Sequence, residues 1–200
     1  MHTHDAIPPL QPRRFLAEYR DDTPRHWCGG NAAVTHILNA YTLLVPGNAG
    51  FFIRTLKQAL PRFEDPSIRE MIMHFSHQEG QHGAGHVRFW TILEKQGYRI
   101  RGFQRKVDFL LYRIIERITP FRLRLSIVAC IEHINAYIGH EFLKQDILRD
   151  AEPALRLLQR QARANPARAQ PRLHRSDHSV AVAALRQHAH EGLAAALGAR

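Results

Sequence analysis

Three observations in this sequence predict an all-α protein. Apolar residues recur at helical spacing over residues 66–96 and 121–149. Helix-starting and helix-stopping residues bracket the first of these stretches. No run alternates apolar and polar residues between hairpin turn signals, and no internal repeat is present. A chain of 200 residues is long enough to bury a real core, so a helical bundle with a tail is the economical architecture.

Residues 1–30 carry Pro8, Pro9, Pro12, Pro24 and the Gly29-Gly30 pair, which predict an extended N-terminal segment. A helical stretch from about Ala32 to Leu44 then meets Val45-Pro46-Gly47-Asn48, and another runs from near Gly50 towards Leu60 before Pro61. Either two helices or one broken helix fits that text. Asp65-Pro66-Ser67 opens the next helix, with Asp65 as N-cap and Pro66 in the first turn, where its missing N–H costs nothing. That helix is expected from Pro66 to Gln96, with Gly97 as its stop. A third covers about Lys106 to Ile118, Thr119-Pro120 restarts the chain, and a long helix follows from about Phe121 to Arg149. Beyond Glu152-Pro153 the chain is rich in Arg, Ala, Gln and Pro up to an Ala-rich helix candidate at about Val180 to Leu197. The organisation expected is an extended segment (1–30), a helical domain (31–150) and an Arg/Ala-rich tail (151–200).

The formal charge is +10, and its placement is uneven. Residues 151–200 carry eight Arg, no Lys and three acids (Glu152, Asp177, Glu191), half of the excess on a quarter of the chain. Arginines without interleaved aromatic residues are a weak nucleic-acid signal, so a nucleic-acid partner is not expected. Cys28 and Cys130 are too few for a disulfide framework and form no Cys-x-x-Cys pair, which points to a reducing compartment. Cys130 reads as a small core residue, and Phe89 and Trp90 as packing. No segment approaches the roughly 18–20 apolar residues of a membrane span, and the first residues lack a signal-peptide apolar run. A cytoplasmic, soluble protein without a membrane partner is the expectation.

The chemistry sits on two helical stripes. At about 100° per residue, Ile68, Ile72, Phe75, Glu79, His82, His86, Trp90 and Leu93 share one face, so three ionisable groups interrupt an apolar stripe. His74 and His77 point elsewhere. Glu79-Gly80-Gln81-His82 is a Glu-x-x-His, whose i, i+3 spacing sets a carboxylate beside an imidazole. Phe121, Leu125, Val128, Glu132, Ala136, Gly139 and Leu143 form a second stripe, again interrupted by a carboxylate. Buried carboxylates are costly unless paired or coordinating a cation. The pattern therefore suggests metal ligation by Glu79, His82 and Glu132, with His86 as an extra ligand or an orienting group and His133 in the outer shell. The competing readings are an Arg partner for Glu79 and backbone-satisfied core histidines at His82 and His86.

Several blocks together resemble a known family. They are Thr35-His36-x-x-Asn39-Ala40, Val45-Pro46, Phe51-Phe52, Asp65-Pro66, Gln78-Glu79-x-x-His82-x-x-x-His86, Gly97-Tyr98 and Glu132-His133. Over about residues 25–150 they resemble the bacterial predicted metal-dependent hydrolases. That resemblance implies a ferritin-like bundle with a Glu after a Phe-Pro-x-Gly turn, a Glu-x-x-His, a lone Glu and a final Glu-x-x-His, holding two metal ions. This chain departs twice. Asn48-Ala49 stands where the family has Gly-Glu, and no Glu-x-x-His survives within about residues 155–185, where Asp177-His178-Ser179-Val180-Ala181 is the nearest echo. His178 is thus a weak counterpart of a fourth-helix ligand, and the bundle is expected to be incomplete there. A shifted reading frame in GC-rich DNA would give such a tail; an intact alternate frame restoring Glu-His downstream of about residue 155 is what sequencing should find.

The function expected is a metal-dependent hydrolase acting on a small molecule, with iron, manganese or zinc in one or two positions activating water. The same ligand types suit di-iron redox chemistry, and a degenerate bundle with weakened metal binding is the non-catalytic alternative. In the expected geometry, Glu79, His82 and Glu132 share one coordination sphere at about 2–2.2 Å from a metal, and residues 155–180 pack poorly.

Overall fold

The computed structural model describes residues 19–156, the side chains of Ala136 and Leu143 excepted. Helices dominate: α1 (Ala32–Ala59), α2 (Pro66–Lys95), α3 (Ile100–Val107), α4 (Glu116–Ile118) and α5 (Phe121–Lys144). Among the described residues there is no strand, and Cys28 and Ala151 form an isolated antiparallel bridge. The all-α bundle expected from periodicity is what the chain builds.

Helix α1 is unbroken through Pro46, which resolves the alternative left open at Val45-Pro46. Proline inside a helix removes the N–H that would reach the carbonyl four residues earlier, here Thr42. Trp90 on α2 supplies the missing donor: its indole Nε1 donates to Thr42 O at 3.2 Å. The helix survives because a neighbour replaces the lost bond. Beside it, a Cβ on Gly47 would collide with the Tyr112 ring, so only glycine fits where that ring packs.

Helix α2 starts and stops as its sequence predicts. Asp65 caps it, its carboxylate accepting from Ser67 N at 2.8 Å. At the other end Gly97 takes φ +93°, and Tyr98 N and Gly97 N donate to Leu93 O and Glu94 O at 3.1 and 3.0 Å. That is the Schellman termination that favours glycine.

Two boundaries differ from expectation. The third helical region begins at Ile100, not near Lys106, and passes through a π-helical stretch at Asp108–Ile115 before α4. Burial of Ile100 and Gln104 anchors the extra turn, a tertiary effect that local pattern does not carry. Helix α5 ends at Lys144, short of Arg149. There Asp146 adopts φ +51° and Ile147 N donates to Phe142 O at 3.1 Å, so an aspartate occupies the left-handed position usually given to glycine.

Helix α1 is the hub, with α2, α5 and the π-helical stretch packed on it. One apolar cluster joins the N-terminal segment to both chain ends of the bundle: Trp27, Cys28, Leu38, Phe89, Leu93, Ile100, Leu148, Ala151 and Leu155. The segment from Tyr19 to Asn31 is thus built into the core. Trp27 Nε1 donates to the buried Asn39 Oδ1 at 2.9 Å, and Glu152 N donates to Trp27 O at 3.0 Å. Leu155 is buried and Arg156 partly so, whereas residues 157–180 of the stretch expected to pack poorly lie outside the described residues, as does the 180–197 helix candidate.

Helices α2 and α5 rise in the same direction across α1. Ile72 shares a cluster with Leu125, Leu56 and Ala59, and Phe75 shares the next with Val128, Phe51 and Phe52. One more turn along each stripe brings Glu79 on α2 and Glu132 on α5.

Candidate metal centre

The apolar seam therefore changes character at one level of the bundle. On α2, Ile72 is fully buried and His86 is 1% exposed, while Glu79 and His82 between them are partly buried. His82 and His86 stand one turn apart and turn their Nε2 atoms towards each other at 3.1 Å, the rings 4.8 Å between centroids. The far side of His86 is fixed as well, because its Nδ1 contacts Thr42 Oγ1 on α1. Burial keeps both rings neutral: the pKa of His82 is pushed down to about 4, and that of His86 falls well below the ordinary range, helped by His82 beside it.

Two neutral imidazoles with facing nitrogens can share one proton or one ion. At a metal–nitrogen distance of about 2.0–2.1 Å and a tetrahedral angle, two bound nitrogens stand about 3.3 Å apart, close to the spacing here. The usual orienting partner of a ligating histidine is an acceptor for its other N–H. Thr42 Oγ1 can fill that role for His86.

The carboxylates flank this pair through Tyr41. Its hydroxyl donates to Asn135 Oδ1 on α5 at 3.2 Å. Burial, and then the charges of Glu132 and Glu79, push the phenol up to about 12. One tyrosine on α1 thus feels both carboxylates, from α2 and from α5. Glu79 and Glu132 serve one region of the bundle.

Among the described residues, no group of three or more His, Cys, Asp or Glu gathers tightly enough to hold an ion. What the structure brings together is the His82–His86 pair, one turn from Glu79, with Glu132 on the facing helix. His133 is exposed on α5, and His178, the weak fourth-helix echo, lies outside the described residues. Cys130, expected in the core, is exposed. It lies two residues, about 200° of helix, from the buried Val128, so it faces away from the seam.

Position 49 has a clear structural meaning. Ala49 is 3% exposed, and a Cβ on Gly83 would approach its Cβ to 3.3 Å. The side chain at 49 therefore points at α2 at Gly83, the residue after His82. No carboxylate stands there, and the small Ala49–Gly83 contact lets α1 and α2 approach closely instead.

Sequence reasoning missed Tyr41, Thr42 and Asn135. Thr42 carried a readable signal, since it lies four residues before a proline inside a helical run; Tyr41 and Asn135 carried none. It also missed Glu116, buried at 8% exposure and bound by Arg54 through two bonds of 2.9 and 2.6 Å. That pair ties α4 to α1.

The fold and site define a helical-bundle protein with a buried histidine pair and adjacent carboxylates between helices. The family described as predicted metal-dependent hydrolases matches residues 11–160, and the chain belongs to it. No curated protein and no solved structure matches the chain. Membership implies dependence on a metal ion.

Proposed function

We propose that this chain is a hydrolase whose metal is held by His82, His86, Glu79 and Glu132. The observation that carries the reading is the buried, neutral His82–His86 pair with its Nε2 atoms 3.1 Å apart, at the level where two carboxylates act on Tyr41. Imidazole and carboxylate donors suit iron, manganese or zinc. A bound ion would supply Lewis acidity and a water nucleophile at neutral pH.

The protein's own residues then have distinct tasks. Thr42 holds His86 in the tautomer that leaves Nε2 free, and Trp90 holds Thr42 through its carbonyl. Tyr41 stays protonated at neutral pH, and its one proton is held on Asn135, so the hydroxyl ties α1 to α5 beside the carboxylates without adding a negative charge there. Asn135 orients that hydroxyl. The apolar seam of Phe75 and Val128 closes the site at one end.

A second reading is favoured by one observation. Ala49, buried against Gly83, stands where the family resemblance puts a carboxylate, which supports a member with weakened metal binding. Redox chemistry on the same ligands is the third. Anaerobic assay of metal-stripped and metal-reloaded protein against a panel of esters, amides and phosphoesters separates them. Hydrolysis restored by metal without oxygen supports the proposal. Oxygen consumption with no hydrolysis supports the redox reading, and no turnover in either form supports the weakened one.

A further inference from the structure

The helical rod from α3 through α4 carries an unusual outer surface. Phe103, Phe109, Leu110, Ile114 and Ile118 are 53, 57, 53, 40 and 76% exposed. Phe103, Leu110, Ile114 and Ile118 follow one another at intervals of seven, four and four residues, one continuous apolar stripe. Arg105, Phe109, Arg113 and Arg117 run beside it at intervals of four. Among the described residues none of Arg105, Lys106, Arg113 and Arg117 has a carboxylate within ion-pair distance. The basic stripe also walls a cavity of about 580 Å³, lined by Arg54, Arg105, Asp108, Phe109, Tyr112, Arg113 and Arg117.

We infer that this face docks on an anionic lipid bilayer, the apolar stripe entering the headgroup–acyl boundary and the arginine-walled cavity taking a lipid phosphate. The pairing of exposed large apolar residues with unpaired bases is the pattern of interfacial helices. Each half argues against another occupant. A second copy would set like charges against each other, and a nucleic acid would leave five large apolar side chains without a partner. Of the two acids of the rod, Glu116 is buried on Arg54, and Asp108, which lines the cavity and accepts from Gln104 at 3.0 Å, is outnumbered there by Arg105, Arg113 and Arg117. No helix of the described residues is long and apolar enough to cross a membrane.

The test is co-sedimentation of the full chain with vesicles of phosphatidylglycerol and phosphatidylcholine in equal parts, against phosphatidylcholine alone. Binding to the mixed vesicles only is expected. It should weaken at least about tenfold in Arg113→Glu/Arg117→Glu, since each base near an anionic surface matters about fivefold. Ile114→Ser/Ile118→Ser should weaken it similarly, and circular dichroism of both variants should match the parent. Failure of the folded parent to bind would overturn the inference, as would equal binding to phosphatidylcholine. So would binding indifferent to the Ile substitutions, which would mean simple charge adhesion. A concentration-dependent dimer in light scattering, abolished by Ile118→Ser, would assign the face to a second copy and overturn it too.

Discussion

At the scale of single residues, the site depends on a proline. Pro46 strips Thr42 O of its helical partner, Trp90 restores one, and the same Thr42 touches His86 through its hydroxyl. A helix defect and the orientation of the His86 ring are thus coupled in one residue. Trp90→Phe should leave a carbonyl unsatisfied and cost about 1–3 kcal/mol in denaturant unfolding. In a Pro46→Ala background, residue 46 regains an N–H aimed at Thr42 O, so the penalty should shrink by about half or more. Equal penalties in both backgrounds would show that the indole bond does not stand in for the proline. The histidines make a second prediction on metal-free protein. Folded His82 has its pKa pushed down to about 4, while the unfolded chain takes up that proton near 6.5. Below about 6.5 the unfolded state binds more protons, so stability is lost as pH falls from about 6.5 towards 4 and is fully present above it. The unfolding free energy from urea titration should be lower at about pH 5 than at about pH 7.5, by on the order of 1–2 kcal/mol, and His82→Gln should remove part of the difference.

At the scale of elements, the parallel climb of α2 and α5 over α1 creates the site. Apolar steps at Ile72 with Leu125 and Phe75 with Val128 set a register whose next turn carries Glu79 and Glu132. Position 49 on α1 faces the same level of α2. Ala49→Glu should therefore lower the melting temperature of metal-free protein, because it buries a carboxylate, and tighten metal binding about tenfold or more by adding a donor beside His82. Isothermal titration with zinc or manganese measures the second effect; unchanged affinity would mean that residue 49 does not reach the ion. Much of this architecture was legible. Asp65, Pro66 and Gly97 announced α2 because caps are local chemistry, and both stripes put Glu79, His82 and Glu132 on inward faces. What was not legible depends on distant partners: Trp90 tolerating Pro46, the core holding Ile100 in a helix, and Asp146 in a glycine's conformation. Tyr41 and Asn135 have no spacing that marks them, since a single phenol or amide on a helix reads as ordinary surface.

At the scale of the whole molecule, the described residues close around three helices at the site, with the N-terminal segment and Ala151 sealing the far end through the Cys28–Ala151 bridge. The proposed metal site thus lies at one level of an otherwise apolar seam. His86, buried, and His82, partly buried, face each other as neutral rings, an arrangement that the proposed cation would bridge. The decisive measurement is the transition-metal content of the purified protein by elemental analysis, taken beside His82→Ala, His86→Ala and Glu132→Ala. The account predicts at least one iron, manganese or zinc per chain, lost to below about a tenth in each histidine variant and reduced in Glu132→Ala, with helical content retained. Parent protein that takes up no metal when offered it, or histidine variants that keep the parental amount, would contradict the account.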